Sequence, residues 1–305
     1  MHPSHLSLPL APKNFLEPSF SRYCPTQALA FATLSDLAYS SRRTIRVTLK
    51  SWEFETIDFF SLGHTEAFLV ANAHQIIVIF RGSDEPQDWI HNLNFDLVSG
   101  PGGQVHCGFL NAVQGLWKTI QSRICQLRVQ ARWQGRELSL WLTGHSLGAA
   151  LATLVTAQLR QANEKISGLY TYASPRVGDR TFAQNFNIDL GMRTFRIVNK
   201  NDLVPQLPMR SLSYCHVGQL FYFDHRDQLH CQSSAYFRFL DAMKIHANDL
   251  FDLDFSAAEN HDIGAYLAAL ARHKRDQQPV ISQAPSRRQR SSCASSSTRN
   301  LPQPV

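Results

Sequence analysis

The stretch Glu137–Arg160, ELSLWLTGHSLGAALATLVTAQLR, decides the fold. Leu138 to Leu142 is a short, mostly apolar run of strand length, as expected of a strand buried on both faces of a parallel sheet. Leu147, Leu151, Leu154, Val155 and Leu159 then recur at helical spacing. Ser146 therefore sits between a strand and a helix, with Gly144 and Gly148 at minus two and plus two, where a sharp turn leaves no room for a Cβ. This is the physical content of the G-x-S-x-G nucleophile elbow: the turn presents a serine hydroxyl at the sheet edge, and the helix N-terminus supplies N–H groups to a negative oxygen.

The elbow predicts α/β architecture, and the rest of the chain agrees. Thr26 is read as the cap of a helix reaching about Tyr39. Strand-like segments follow at Thr44 to Leu49, Glu53 to Phe60, Ala67 to Ala71 and Gln75 to Phe80, with Asn72 marking a hairpin between the last two. Leu169 to Ala173 and Phe195 to Asn199 read as further strands, alternating with helical patterns such as Phe109 to Cys125. The sheet opens antiparallel and turns parallel, and ligands of such sheets gather at the carboxyl ends of the strands.

Two stretches near those ends are informative. Ile79-Phe80 runs into Arg81-Gly82-Ser83, where Ser83 can aim a backbone N–H and a hydroxyl at the sheet mouth. Asp84 to Leu97 reads as a short amphipathic helix capped by Asp84, with Trp89, Ile90 and Leu93 on one face. It suits either a lid over an apolar cleft or an ordinary surface helix. Asn201-Asp202 follows the strand ending at Asn199, so the Asp202 carboxylate falls at the mouth. A serine nucleophile needs a base oriented by an acid, and His216, His225, His230, His246 and His261 lie downstream. His261 opens the helical pattern HDIGAYLAALAR and keeps the order Ser, Asp, His. His216 abuts a strand and reads as structural.

Bulk composition narrows the function. The chain has 305 residues, 44% of them hydrophobic, and a formal charge of +6. Residues 271–305 carry Arg272, Lys274, Arg275, Arg287, Arg288, Arg290 and Arg299 against Asp276, which already gives +6. The body is near neutral and offers no nucleic-acid footprint. No apolar run is long enough to span a membrane. Residues 1–18 lack a basic n-region and are broken by Pro9 and Pro12, so no secretory leader is expected and the compartment stays open. Six cysteines without metal-ligand spacing imply reduced thiols and no metal, and nothing implies a cofactor. Three segments are expected: an extension (1–25), one α/β body (26–270) and a disordered basic tail (271–305) that could contact an anionic membrane surface.

The segments IVIFRGS, DWIHNLNFDL, VHCGF, LTGHSLGAALAT, SPRVGDRTFA, VNKNDLVPQLP, YCHVG and the final His261/Tyr266 pair, in this order, resemble the class 3 lipases, the fungal-type triacylglycerol lipase family. The resemblance implies an α/β-hydrolase fold with a mostly parallel sheet, antiparallel N-terminal strands and a small lid helix. It implies Ser146 as nucleophile, Asp202 as acid, His261 as base, an oxyanion hole from Ser83 and the Leu147 N–H, and Trp89, Ile90 and Leu93 on the lid. The substrate class it implies is a lipid ester at a lipid-water interface, hydrolysed through an acyl-enzyme. A phospholipase A1, a soluble carboxylesterase and an idle lipid-binding module remain as alternatives. Ala149 replaces a glycine common in the family, and Asp84 and Glu85 add acid beside Ser83. Pro175 and Gly178 are read as shaping a turn, Arg176 as pairing within the body, and His106 as a structural donor.

Overall fold

The computed structural model describes residues 22–84, 95–232, 234 and 259–276. An eight-stranded sheet runs through the body, ordered β1-β2-β3-β6-β7-β9-β11-β12. Its strands are β1 (Thr56–Leu62), β2 (Thr65–Ala71), β3 (Gln75–Phe80), β6 (Ser139–His145), β7 (Gly168–Tyr172), β9 (Thr194–Asn199), β11 (Gln219–Phe223) and β12 (Leu229–Cys231). β3, β6, β7, β9 and β11 run parallel, while β1, β2 and β12 pair antiparallel at the two edges. The antiparallel start and parallel centre follow the sequence reading. Asn72 closes the β2–β3 hairpin, its Oδ1 accepting the His74 and Gln75 N–H groups. A second sheet combines β4 (Leu97–Gly100), β5 (Gly103–His106), β8 (Gly178–Asp179) and β10 (Tyr214–Cys215), ordered β10-β8-β5-β4.

Helices cover both faces of the large sheet. They are α1 (Pro25–Leu37), α2 (Arg42–Ser51), α3 (Cys107–Gln114), α4 (Trp117–Trp133), α5 (Leu147–Gln161), α6 (Arg180–Leu190) and α7 (Ile263–Asp276). Alternate residues of β3 split between the layers: Ile76, Val78 and Phe80 pack with α3–α6, whereas Ile77 and Ile79 pack with α1, α2 and α7. Each central strand is thus apolar on both sides, which explains the continuous hydrophobic run of QIIVIF.

Several expectations are corrected. Thr44–Leu49 is not a strand but part of α2: Ser41 accepts the Thr44 N–H as N-cap, and Ile45 and Leu49, four apart, are its buried residues. The first strand begins at Thr56, not Glu53. Pro25 at the first turn, not a Thr26 cap, starts α1. The pattern Phe109–Cys125 breaks at Gly115–Leu116 into α3 and α4. Gly178 lies in β8, where a Cβ would meet the Gln104 carbonyl at 2.6 Å, so it serves close strand approach and not a turn. Helix α7 passes the expected boundary at residue 271, and Arg272 pairs with Asp227 at 2.9 Å. Residues 85–94, including Trp89, Ile90 and Leu93 of the expected lid, lie outside the described residues.

Candidate active site

The elbow is built by contacts that only glycine allows. A Cβ on Gly144 would overlap the Gly148 backbone and approach the Ala149 nitrogen at 2.8 Å. A Cβ on Gly148 would overlap the Phe80 carbonyl and lie 2.9 Å from the Arg81 carbonyl carbon. Strand β6, helix α5 and the exit of β3 are therefore in backbone contact. Ser146, between β6 and α5, has φ 57° and ψ −127°, a conformation that costs an L-residue about 1–3 kcal/mol and is held by the packing around it. Its N–H donates to the Tyr172 carbonyl at 3.0 Å, which anchors the strained residue to β7.

Three side chains meet at the carboxyl ends of β6 and β9. His261 Nε2 lies 2.9 Å from Ser146 Oγ, and its Nδ1 lies 3.1 Å from both carboxylate oxygens of Asp202. Because a carboxylate can only accept, the Nδ1 proton faces Asp202 and Nε2 is left to accept from the serine hydroxyl. All three residues are buried. Asp202 is held from two further directions: Oδ1 accepts the Val204 N–H at 2.9 Å and Oδ2 accepts the Tyr266 hydroxyl at 2.6 Å. Burial, and then the Asp202 charge, hold the Tyr266 pKa well above its ordinary value, so the phenol remains a donor. Asn199, at the end of β9, fastens the segment bearing His261 by donating to the Asn260 carbonyl at 3.1 Å. Of the candidate histidines, His261 joins serine and aspartate, whereas His216 Nε2 bonds the Pro205 carbonyl at 2.8 Å and His230 Nε2 bonds Asp224 at 2.8 Å; His246 lies outside the described residues.

A second layer was not visible in the sequence. His145 Nε2 donates to the His261 carbonyl at 2.8 Å, which fixes its tautomer, and Nδ1 accepts from the Tyr39 hydroxyl at 2.9 Å. Burial, then the neighbouring His261, lower the His145 pKa well below its ordinary value, so this imidazole is neutral. This neutral ring packs 4.8 Å from the His261 ring. Tyr39 also abuts Gly82, where a Cβ would overlap its hydroxyl, and the Arg81 guanidinium lies 5.9 Å over its ring. Arg81 pairs with Glu66 at 3.0 Å and with Asp84 at 2.7 Å. The segment bearing Ser83 is therefore tied to the same tyrosine that holds His145. Ser83 and Leu147 are both half-buried on adjoining segments. Leu147 begins α5, where a backbone N–H has no intrahelical partner.

The supporting residues take other roles. His106 caps α3 as an acceptor, its Nδ1 taking the Phe109 N–H at 3.4 Å, so it is not the donor the sequence suggested. Burial lowers its pKa to about 4. Arg176 Nη1 donates to the Pro208 carbonyl at 2.7 Å and to that of Gln206, fixing the loop after Asp202. Among the described residues no group of His, Cys, Asp and Glu could hold a metal ion.

Comparison with known proteins bears on the family and the fold. The sequence profile of the family described as Lipase (class 3) matches residues 77–212. A lipase of Rhizomucor miehei is 31% identical over 214 residues, 67% of this chain and 55% of that protein. Secreted mono- and diacylglycerol lipase 1 of Fusarium solani is 37% identical over 155 residues, 49% of this chain and 44% of that protein. The chain spans about half the length of these curated relatives. The solved structure of the Rhizomucor miehei triacylglyceride lipase superposes with a TM-score of 0.59 at 28% identity, covering 67% of this chain and 82% of that one. With its elbow, its sheet order and these matches, the chain belongs to the class 3 lipase family and carries the α/β-hydrolase fold.

Proposed function

We propose that the protein hydrolyses carboxylic ester bonds of lipids through an acyl-enzyme on Ser146. The observation that carries this is the unbroken hydrogen-bond chain from Ser146 Oγ through His261 to Asp202, set on a strained elbow. His261 takes the serine proton as Oγ attacks the ester carbonyl, and the imidazolium so formed is stabilised by Asp202. His261 then returns the proton to the leaving alcohol. Water, deprotonated by the same imidazole, attacks the acyl-serine and releases the fatty acid. Ser83 and the Leu147 N–H serve as the oxyanion hole. In support, Gly148 at the start of α5 lies against the backbone of Phe80 and Arg81 at the exit of β3, and Ser83 follows two residues after Arg81.

Acylglycerol is the substrate class the relatives favour, since they are a lipase and a mono- and diacylglycerol lipase. The test is release of free fatty acid from triolein, diolein and phosphatidylcholine, and of nitrophenol from dissolved p-nitrophenyl butyrate, with Ser146→Ala as control. Acylglycerol hydrolysis that vanishes in the variant is expected. Phosphatidylcholine as the preferred substrate would move the reading to a phospholipase A1, and butyrate alone to a soluble esterase. Hydrolysis undiminished by Ser146→Ala would end the serine mechanism.

A further inference from the structure

Helix α2 carries charge that the fold does not use. Its sequence, RRTIRVTLKS, contains Arg42, Arg43, Arg46 and Lys50 and no acidic residue, in a body whose net charge, these four included, is near zero. Ile45 and Leu49 bury the inner face. Arg43, Arg46, Val47 and Lys50 follow at i, i+3, i+4 and i+7, forming one exposed stripe on the opposite side, with Val47 64% exposed in its middle. Arg42 has a structural duty: it pairs with Glu66 at 3.4 Å and donates to Ser61. Among the described residues no carboxylate lies within ion-pair distance of Arg43, Arg46 or Lys50. Arg46 rests over the Phe59 ring at 5.3 Å, which steadies its stem and leaves its charge unopposed.

Local physics disfavours this arrangement. Arg42 and Arg43 occupy the first turn, where the helix dipole is positive, and Arg46 stands three residues after Arg43 and four before Lys50, where like charges repel. A helix selected for stability alone would carry acid at its start. We propose that this stripe is a docking surface for an anionic lipid-water interface, with the three cations meeting head-group phosphates and Val47 entering between them. A phosphate-bearing nucleic acid would be met by the same charges, but it gains nothing from an apolar side chain presented in the middle of the stripe. Location favours lipid too. The start of α2 is joined through Arg42, Glu66, Arg81 and Asp84 to the segment bearing Ser83, so the helix that carries the stripe begins next to the segments that form the candidate site. The inference rests on the lipid-ester reading only for that argument from location; binding is measured without turnover.

The test is co-sedimentation of the full chain with phosphatidylcholine vesicles, with and without phosphatidylglycerol. The wild type should bind the anionic vesicles selectively and be released by salt. Arg43→Gln/Arg46→Gln/Lys50→Gln should weaken that binding about five-fold per charge, roughly 100-fold in all, while hydrolysis of dissolved p-nitrophenyl butyrate stays unchanged. Val47→Ser should weaken it further. Deletion of 277–305, which removes the basic tail, should leave most of the α2-dependent binding in place. Wild-type binding indifferent to phosphatidylglycerol or to salt, a triple variant that binds as the wild type, or retention on RNA without retention on vesicles would each overturn the proposal. Selective vesicle binding by a chain that hydrolyses no ester would leave the docking surface standing and remove the enzyme reading; hydrolysis without anionic selectivity would do the reverse.

Discussion

Tyr39→Phe isolates the layer behind the candidate base. The change removes one oxygen and no packing, and it takes away the hydrogen bond that His145 Nδ1 accepts at 2.9 Å. His145 Nε2 must donate to the His261 carbonyl, 2.8 Å away, so the tyrosine proton is what keeps this tautomer the favoured one. Without it, Nδ1 is a buried acceptor with its partner gone, a loss of about 1–3 kcal/mol. The alternative tautomer would set two acceptors, Nε2 and the His261 carbonyl, against each other. Part of that loss appears as a less stable fold and part as a looser base. If about 1–2 kcal/mol of it falls on the transition state, kcat drops about 5- to 30-fold. KM for a dissolved short ester should hold, because Tyr39 acts on His261 through His145 and not on the ester. The assay is initial-rate hydrolysis of dissolved p-nitrophenyl butyrate, alongside the exchange-protected imidazole N–H of His145 by NMR. A variant less stable in urea but with wild-type kcat, and with the N–H signal intact, would leave Tyr39 a packing residue with no hold on His261.

Three further outcomes follow from the same geometry. Asp202→Asn should lower kcat about 10,000-fold with little change in KM, because the amide can donate to Nδ1 and so favours the wrong imidazole tautomer; a loss below tenfold in steady-state rate would contradict this. Gly144→Ala forces a Cβ onto the backbone of Gly148, which no rotamer relieves, so a loss of about 3 kcal/mol or more in a urea titration is expected, and wild-type stability would exclude the contact. His106 is held neutral by burial, its pKa lowered to about 4 from an ordinary 6.5, so between these values the unfolded chain binds a proton that the folded chain refuses. Its contribution is complete above pH 6.5 and drains away as pH falls toward 4, by roughly 3 kcal/mol at most. His106→Asn keeps a capping oxygen without a titration, so the urea midpoint should depend less steeply on pH in that window, and an unchanged slope would assign the effect elsewhere.

The parts of the site legible in the sequence are those encoded locally. A strand-length apolar run, two glycines spaced about a serine and a helical pattern suffice for the elbow, because sterics within a dozen residues determine it. Asp202 was reachable because it follows a strand in a sheet whose ligands gather at strand ends. His261 was separable from its rivals only weakly, since nothing local says which imidazole crosses to the serine. Tyr39 and His145, 106 residues apart, show no spacing signal for their contact. Helix α2 was misread for a definite reason. Ile45, Val47 and Leu49 alternate with polar residues and mimic a half-buried strand, yet the Ser41 cap and the pairing of Ile45 with Leu49 win, leaving Val47 outside. The error concealed the basic stripe, because in a strand Arg43, Arg46 and Lys50 do not share a face.

On the proposed mechanism Ser146 is an activated nucleophile. The most direct test is intact-mass analysis of the protein after exposure to a fluorophosphonate. One adduct per chain is expected, mapped to Ser146, absent in Ser146→Ala and formed far more slowly in His261→Ala. A wild-type chain that takes up no adduct, or takes it up at another serine, would contradict that mechanism.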